Sequence, residues 1–177
     1  MTSDLVFLSC GGTIEKIYLE KCGLLGFDRS RISDWLSHCR IAQSWRAETI
    51  MLKDSLDMTD QDRQTVAEKI QQTPESKIIV LHGTDTMVQT AAAVMLRRNQ
   101  NQTIVFTGAM IPASMENSDA LFNLGMATAA VQCRPPGVYI SMSGNVWPAD
   151  QVVKNHDKGR FESRLFSNTK ATKDFSQ

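Results

Sequence analysis

The sequence has no excess of either charge, no paired cysteines and no long apolar run. Its 177 residues contain 19 Lys plus Arg and 19 Asp plus Glu, so no net electrostatic field favours nucleic acid or an anionic membrane as partner. No apolar stretch approaches the roughly 18–20 residues of a membrane span, and residues 1–10 lack the basic region of a secretory signal. The four cysteines show neither a CxxC pair nor a Cys/His ligand spacing, which argues against zinc and against a disulfide framework. These absences predict a cytoplasmic protein whose partner is a small molecule.

The sequence does contain a series of short apolar runs separated by amphipathic stretches. Apolar runs without polar alternation are typical of strands that a parallel sheet buries on both faces. They occur here at residues 5–8, 78–81, 104–106 and 138–142. The predicted helices run from Thr59 to before Pro74, from Asp85 or Thr86 to about Arg98, and from Ser118 or Asp119 to Val131.

This order of elements predicts a single α/β domain over residues 1–157. Its mainly parallel sheet is expected to be flanked by helices in three layers, as in flavodoxin-like and Rossmann-like folds. Residues 158–177, rich in Ser, Thr and Lys, are predicted to form a polar C-terminal tail. Residues 15–30 mix charged side chains with glycine and suggest a mobile flap. Ligands of such folds bind at the carboxyl ends of the strands, so a site is expected in the loops there.

Glycine-containing loops follow three of the predicted strands: Gly11-Gly12-Thr13, His82-Gly83-Thr84-Asp85 and Thr107-Gly108-Ala109-Met110. A threonine directly after two glycines is suited to nucleophilic attack, because glycine lets a substrate approach closely and leaves the hydroxyl unscreened. Thr13 is therefore a candidate nucleophile, although the same motif also serves as a turn in which the threonine caps the next segment of the chain. A phosphate cradle is a third interpretation, but the chain lacks both GxGxxG and GxxxxGK(S/T).

Thr84 and Asp85 place a second hydroxyl beside a carboxylate at the predicted start of a helix. The free N–H groups of a helix start favour anionic ligand oxygens, so this pair could bind an amino acid at both charged ends. An ordinary helix cap uses the same residue types. His82 is interpreted as a structural donor at a strand end. Lys154 could take up the proton of a hydroxyl nucleophile, but by pattern alone it is an ordinary surface lysine.

Taken together, these motifs resemble the L-asparaginase/glutaminase family. The resemblance keeps the family's order and comparable spacing over roughly residues 4–157, through GGTI at 11–14, HGTDTM at 82–87, GAMIP at 108–112, SDALFNL at 118–124 and VVKN at 152–155. It implies hydrolysis of the side-chain amide of L-asparagine to aspartate and ammonia through an acyl-enzyme on a threonine, with weak glutaminase activity. It also implies that neither a metal nor an organic cofactor is required.

Carried over residue by residue, the resemblance makes Thr13 the nucleophile and Tyr18 the flap residue that assists it. Thr84 and Lys154 become the partners that handle the proton. Asp85 would hold the α-ammonium group of the substrate, and Thr84 and Asp85 count among the substrate-binding residues as well.

The resemblance also implies how the other end of the substrate is bound. Ser55 would bind the α-carboxylate together with backbone N–H groups near Gly83, and Gly12 counts among the substrate-binding residues as well. The carbonyl oxygen of Ala109 would accept a hydrogen bond from the leaving amide nitrogen.

Two departures from the family pattern bear on specificity and assembly. Family members usually have glutamine after the substrate-binding serine, whereas this chain has Leu56, so one contact to the α-amino group is missing. The smaller second domain, which in the family lends an acidic residue to a neighbouring subunit's site, is not found, and a homodimer or homotetramer is expected. Two other functions stay open: a catalytically silent amino-acid-binding or regulatory subunit, and a nucleotide- or phosphate-binding α/β module.

Overall fold

A six-stranded sheet forms the centre of the computed structural model, which describes residues 4–164. The strands are β1 (Leu5–Gly11), β2 (Ile17–Leu19), β3 (Leu24–Gly26), β4 (Trp45–Lys53), β5 (Lys77–Leu81), β6 (Thr103–Thr107), β7 (Gly137–Met142), β8 (Asn145–Pro148), β9 (Val152–Asn155) and β10 (Arg160–Ser163). The helices are α1 (Ile32–His38), α2 (Asp60–Gln72), α3 (Met87–Met95) and α4 (Ala120–Cys133). Short 3₁₀ turns cover Thr13–Glu15, Ser55–Asp57 and Ala149–Gln151.

The strand order of the central sheet is β4-β1-β5-β6-β7-β8. Neighbouring strands from β4 to β7 are parallel, whereas β8 is antiparallel to β7 at one edge. Numbered in chain order, the parallel strands follow the flavodoxin-like order 2-1-3-4-5. The strand order reverses at β1 and β5, so the carboxyl ends of these two strands border the crevice in which such folds bind ligands.

Helices cover both faces of this sheet, which confirms the predicted three-layer α/β fold. Alternate residues of β1 enter opposite cores: Val6 and Leu8 pack in the core that contains residues of α2 and α3, whereas Leu5 and Phe7 pack in the one with residues of α1 and α4. All four side chains are fully buried. Burial on both faces is the reason why interior strands such as β1 and β5 contain unbroken apolar runs, at residues 5–8 and 78–81.

The three predicted helices are present, with shifted ends. The side chain of Thr59 accepts from the Asp62 N–H at the start of α2, and the Asp62 carboxylate accepts from the Thr59 N–H in return. α3 ends before the predicted position 98, because the N–H of Arg97 bonds back three residues to the Val94 carbonyl and closes the last turn.

The apolar pattern predicts neither α1 nor β4. β4 lies at the edge of the sheet with β1 as its strand neighbour, and its nine residues are at most partly buried. Charged and apolar side chains are mixed along it because this edge meets solvent. α1 has only seven residues, too few for a helical period to stand out from the sequence.

β9 and β10 form an antiparallel hairpin beside the main sheet. Val152 and Phe161 anchor this hairpin in the core, and the ring of Phe161 lies 6.5 Å from that of Trp147. The hairpin extends the domain to Ser163, so the boundary predicted after residue 157 falls inside it. The remainder of the predicted tail, from residue 165 onward, lies outside the described residues.

Among residues 4–164, no helix is long and apolar enough to cross a membrane. No group of His, Cys, Asp and Glu in the same range is arranged to hold a metal ion.

The four cysteines are unpaired. Burial raises the pKa of the Cys10 thiol to about 12, so this thiol stays protonated and acts as an apolar packing group.

Candidate active site

The loops that follow β1 and β5 are in direct backbone contact. Gly12 has a φ of +78°, and a Cβ atom added to it would lie 2.2 Å from the backbone nitrogen of Gly83. Only glycine fits at this position, both for its backbone conformation and for its space. Thr13 and Thr84 each follow one of these two glycines, so the two predicted hydroxyl residues stand on adjoining loops.

Ser55 joins this arrangement from the loop after β4. A Cβ atom added to Gly83 would lie 2.6 Å from the Cβ and the Oγ of Ser55. The Thr86 hydroxyl donates to the Ser55 carbonyl over 2.7 Å and fixes the loop from the α3 side. Ser55 is 1% exposed, and its hydroxyl has no partner among the described residues. A buried hydroxyl without a protein partner is suited to bind a ligand.

Lys154 connects Thr84 with Asp85. Its Nζ donates to the Thr84 Oγ1 over 2.7 Å and to the Asp85 Oδ1 over 2.6 Å. The side chain of Lys154 is 8% exposed and Thr84 is 4% exposed, so the amine and the hydroxyl meet largely away from water. The ring of His156 approaches the same Asp85 oxygen at 3.5 Å. An amine held against a hydroxyl in this way can exchange a proton with it.

Thr13 lies in the 3₁₀ turn directly after Gly12. Its side chain is partly buried, and its hydroxyl has no hydrogen bond to the described residues, which leaves it free for a substrate. The buried carboxylate of Glu15 holds this turn in place. It accepts hydrogen bonds from the Ser9 hydroxyl at 2.6 Å, the Ser30 hydroxyl at 2.7 Å and the Arg31 N–H at 2.9 Å. The loop that carries Thr13 is therefore held at its root.

The loop after β6, which contains Ala109, packs against the loop after β5. A Cβ atom on Gly108 would lie 2.4 Å from the carbonyl oxygen of His82. The Asp119 carboxylate accepts from the N–H of Met110 at 3.0 Å, and the buried Asn123 side chain donates to the Gly108 carbonyl at 3.1 Å. The side chain of Ala109 is buried, which is compatible with a residue that would contact a ligand only through its backbone. Sequence reasoning predicted a helix cap near Asp119 but not that this carboxylate holds the neighbouring loop.

Tyr18 is the one predicted catalytic residue whose side chain is exposed to solvent. It lies on β2 of the hairpin that β2 and β3 form, and its side chain is 60% exposed. The predicted flap thus corresponds to a two-stranded hairpin that is anchored at its root.

A cavity of about 280 Å³ borders the Asp85–Lys154 pair on the side of α3 and β9. Val88, Gln89 and His156 are among the residues that line it. Neither Thr13 nor Ser55 is among them, so this cavity is separate from the contact of the Gly12–Thr13 loop with the Gly83–Thr84 loop.

His82 gives the site a pH-dependent stability. It is fully buried, its Nδ1 pairs with the Gly83 carbonyl over 2.8 Å, and its Nε2 has no partner among the described residues. Burial lowers the pKa of His82 from 6.5 to about 4; the bond to Gly83 opposes this shift, and the charge of Arg63 adds to it. Between pH 6.5 and pH 4, His82 is therefore largely protonated in the unfolded chain but neutral in the folded chain.

The contribution of neutral His82 to the free energy of unfolding is thus complete above pH 6.5. It is lost as the pH falls toward 4, and the loss amounts to about 3 kcal/mol at most. We expect the free energy of unfolding, measured with urea across this range, to fall less steeply in His82→Gln than in the native protein. His38→Gln, at an exposed histidine, is the control and should keep the native slope. Equal slopes for native and His82→Gln would contradict the prediction.

Gly12→Ala is expected to destabilise the protein, because it adds strain at a positive φ to a clash with the Gly83 backbone. The strain alone costs about 1–2 kcal/mol, and the displaced loops add to it. Gly125 in α4 provides the matched control, because nothing lies within 4 Å of a Cβ atom added there. Gly125→Ala should stabilise the protein by about 0.5–1 kcal/mol. Urea unfolding of both variants measures the contrast, and a Gly12→Ala protein of native stability would show that the two loops do not meet as described.

The sequence matches the family described as "Asparaginase, N-terminal" over residues 4–171. The chain belongs to the asparaginase family. It is 29% identical over 163 residues to an L-asparaginase of Thermococcus kodakarensis, covering 88% of this chain and 48% of the relative. It is 30% identical over 137 residues to L-asparaginase 1 of Escherichia coli K12, covering 75% of this chain and 38% of that protein.

Solved structures of asparaginases show the same fold. The thermostable L-asparaginase of T. kodakarensis superposes with a TM-score of 0.78 at 29% identity, covering 90% of this chain and 50% of that one. A probable cytoplasmic L-asparaginase of Campylobacter jejuni superposes with a TM-score of 0.79 at 27% identity, covering 92% of this chain and 53% of the other. The chain spans about half the length of these asparaginases.

Sequence reasoning missed two charged residues at the edge of the asparaginase-like site. Lys16 follows the Thr13 turn, Asp54 precedes Ser55, and the two side chains form an ion pair. Burial alone would raise the pKa of Asp54, but the hydrogen bonds from Lys16 and from the Leu56 N–H, together with nearby positive charges, lower it below its usual range. The position of Asp54 beside a candidate substrate-binding residue was the only signal in the sequence.

Proposed function

We propose that the chain hydrolyses the side-chain amide of L-asparagine to aspartate and ammonia, and that of glutamine more slowly. The observation that carries this proposal is the buried contact of the Lys154 amine with the Thr84 hydroxyl, in a loop that touches the Gly12–Thr13 loop. A module that only binds amino acids needs neither the amine nor the second hydroxyl. Membership of the asparaginase family supports the same reaction.

In the proposed mechanism, the Thr13 hydroxyl attacks the amide carbon of the substrate. Lys154 acts in this step as a neutral amine, which takes up the hydroxyl proton by way of Thr84, and backbone N–H groups of the Gly12 and Gly83 loops stabilise the oxyanion. The C–N bond then breaks, the nitrogen takes up the same proton from Lys154 and leaves as ammonia, and an ester with Thr13 remains. Water hydrolyses this ester, which releases aspartate and restores the threonine hydroxyl.

The substrate is placed by its two charged ends. Asp85, at the entrance to α3, takes the α-ammonium group, and the unpartnered Ser55 hydroxyl takes the α-carboxylate. The Ala109 carbonyl accepts from the amide nitrogen that leaves. Tyr18 reaches Thr13 when the β2–β3 hairpin folds over the bound substrate, and it assists the attack from there.

We further propose that the enzyme works in the cytoplasm as a homodimer or homotetramer. The free cysteines of the described residues suit a reducing compartment, and one of the superposed asparaginases is named probable cytoplasmic. A second copy of the chain would cover the open side of the substrate site. Sedimentation or light scattering of the purified protein measures the assembly.

Ammonia release tests the proposed function. The purified chain of 177 residues is incubated with L-asparagine, L-glutamine and other small amides, and ammonia is measured against blanks without protein. Thermal shift with L-aspartate and with ATP runs in parallel, because a ligand of the folded state raises the melting temperature. We expect release from asparagine and stabilisation by aspartate. Stabilisation by aspartate without ammonia would indicate a silent binding subunit, and stabilisation by ATP alone a nucleotide-binding module.

A further inference from the structure

The ion pair of Lys16 and Asp54 links the two loops between which the substrate would lie. Lys16 is three residues beyond Thr13, and Asp54 directly precedes Ser55, so the pair joins segments 38 residues apart in the chain. The loops follow β1 and β4, which are neighbours in the sheet. The side chains are 20% and 27% exposed, so water screens this pair less than a surface pair.

Both ends of the pair are fixed to their own loops. The Lys16 N–H donates to the Thr13 carbonyl at 3.1 Å, and the Lys16 carbonyl accepts from the Ser114 hydroxyl at 2.9 Å. The second oxygen of Asp54 accepts from the Leu56 N–H at 3.0 Å and so caps the 3₁₀ turn that carries Ser55. A change in the distance between Lys16 and Asp54 is therefore passed on to Thr13 and Ser55.

We infer that Lys16 and Asp54 are a positioning pair that sets the distance from the Thr13 hydroxyl to the substrate carboxylate bound at Ser55. Neither side chain touches the reacting atoms in this proposal. The pair acts by holding the attacking hydroxyl and the substrate in register, and a misplacement of about 1 Å at such a site costs about a hundredfold in rate. The inference rests on the proposed function only for the kinetic part of its test.

The charges around Asp54 are consistent with this role. Lys16 pairs with it directly, and Lys154, which is held by Asp85, adds a second positive charge nearby. The neighbouring Lys53 points elsewhere and pairs with Asp62 of α2 at 2.7 Å. The side chains of Lys53 and Asp62 are therefore a matched control, since they form an ion pair of the same two residue types that links β4 to a helix, whereas Lys53 meets the Thr13 loop only through its backbone.

The kinetic test is a double-mutant cycle on ammonia release. Lys16→Met keeps the length of the side chain, and Asp54→Asn keeps an acceptor for the Leu56 N–H while removing the charge. Each single variant should lower kcat tenfold to hundredfold with a smaller change in KM, the double variant should be no worse than either, and Lys16→Arg should recover most of the rate. Lys53→Met should stay within about threefold of the native rate. Additive losses, or an equal loss in Lys53→Met, would overturn the inference.

A second readout does not need activity. The titration of the Asp54 carboxyl, followed by ¹³C NMR, should move to higher pH in Lys16→Met and stay in place in Lys53→Met, because the side chain of Lys16 donates to that carboxylate whereas that of Lys53 pairs with Asp62. An unchanged Asp54 titration in Lys16→Met would show that the pair does not exist in solution and would also overturn the inference. A native protein that releases no ammonia but passes the NMR test would instead disprove the proposed function.

Discussion

Thr13→Ala is expected to reduce ammonia release from asparagine by about a thousandfold to ten-thousandfold while the protein keeps its fold. The reason is that the hydroxyl is the proposed attacking group, so its loss removes the covalent step and leaves only binding and the oxyanion donors. Stability should change little, because the Thr13 hydroxyl has no hydrogen bond to the described residues and the side chain is only partly buried. Initial rates of ammonia release and urea unfolding measure the two effects.

The control for this variant is Thr49→Ala. Thr49 lies on β4 and is exposed, so its truncation should leave both rate and stability near the native values. Thr13→Ser offers an intermediate case, because it retains a hydroxyl without the methyl group. Turnover of Thr13→Ala within a few fold of the native rate would exclude this residue as the nucleophile, whatever the behaviour of the other variants.

Lys154→Met is expected to lower the rate by about a hundredfold to ten-thousandfold, which is the range of a lost general base. Methionine fills the space of the lysine stem but offers neither a proton acceptor nor a charge. The Thr84 hydroxyl then loses its amine partner, and the Asp85 carboxylate loses the ion pair that orients it. The rate should be measured at saturating asparagine, so that weaker binding is not mistaken for slower chemistry.

Lys158→Met is the matched control for this variant. Lys158 lies in the turn between β9 and β10 and pairs with Glu162 on the outer side of the same hairpin, at 44% exposure. Its loss should leave the rate nearly unchanged, because exposed ion pairs contribute little. Similar losses in the two variants would mean that the hairpin as a whole, and not the amine of Lys154, matters for the reaction.

The sequence predicted the fold best where burial is complete. β1, β5, β6 and β7 lie inside the sheet, and their apolar runs reflect burial on both faces. β4 could not be recognised, since an edge strand mixes polar and apolar residues much as a loop does. Part of the site was predictable for a similar reason. The close contact between the loops requires glycine at Gly12 and Gly83, and these glycines are visible in the sequence.

The rest of the site depends on contacts that have no local pattern. Lys154 looked like a surface residue from its neighbours, and only the resemblance to asparaginases pointed to it. Lys16 and Asp54 are 38 positions apart, and a pair of that separation becomes visible only once β1 and β4 are placed side by side. Tyr18 shows the opposite case, since the resemblance pointed to it, whereas in the structure its side chain is exposed on the β2–β3 hairpin.

The placement of Lys154 on the β9–β10 hairpin has a consequence for biosynthesis. All six strands of the main sheet precede this hairpin in the chain, so the residues of the sheet leave the ribosome before the proposed amine does. The proposed nucleophile and the glycine loops lack their amine partner until then. Because Val152 and Phe161 belong to the same core as the sheet, docking of this last segment completes the core and the Lys154–Thr84 contact together, and the proposed turnover cannot begin before folding ends.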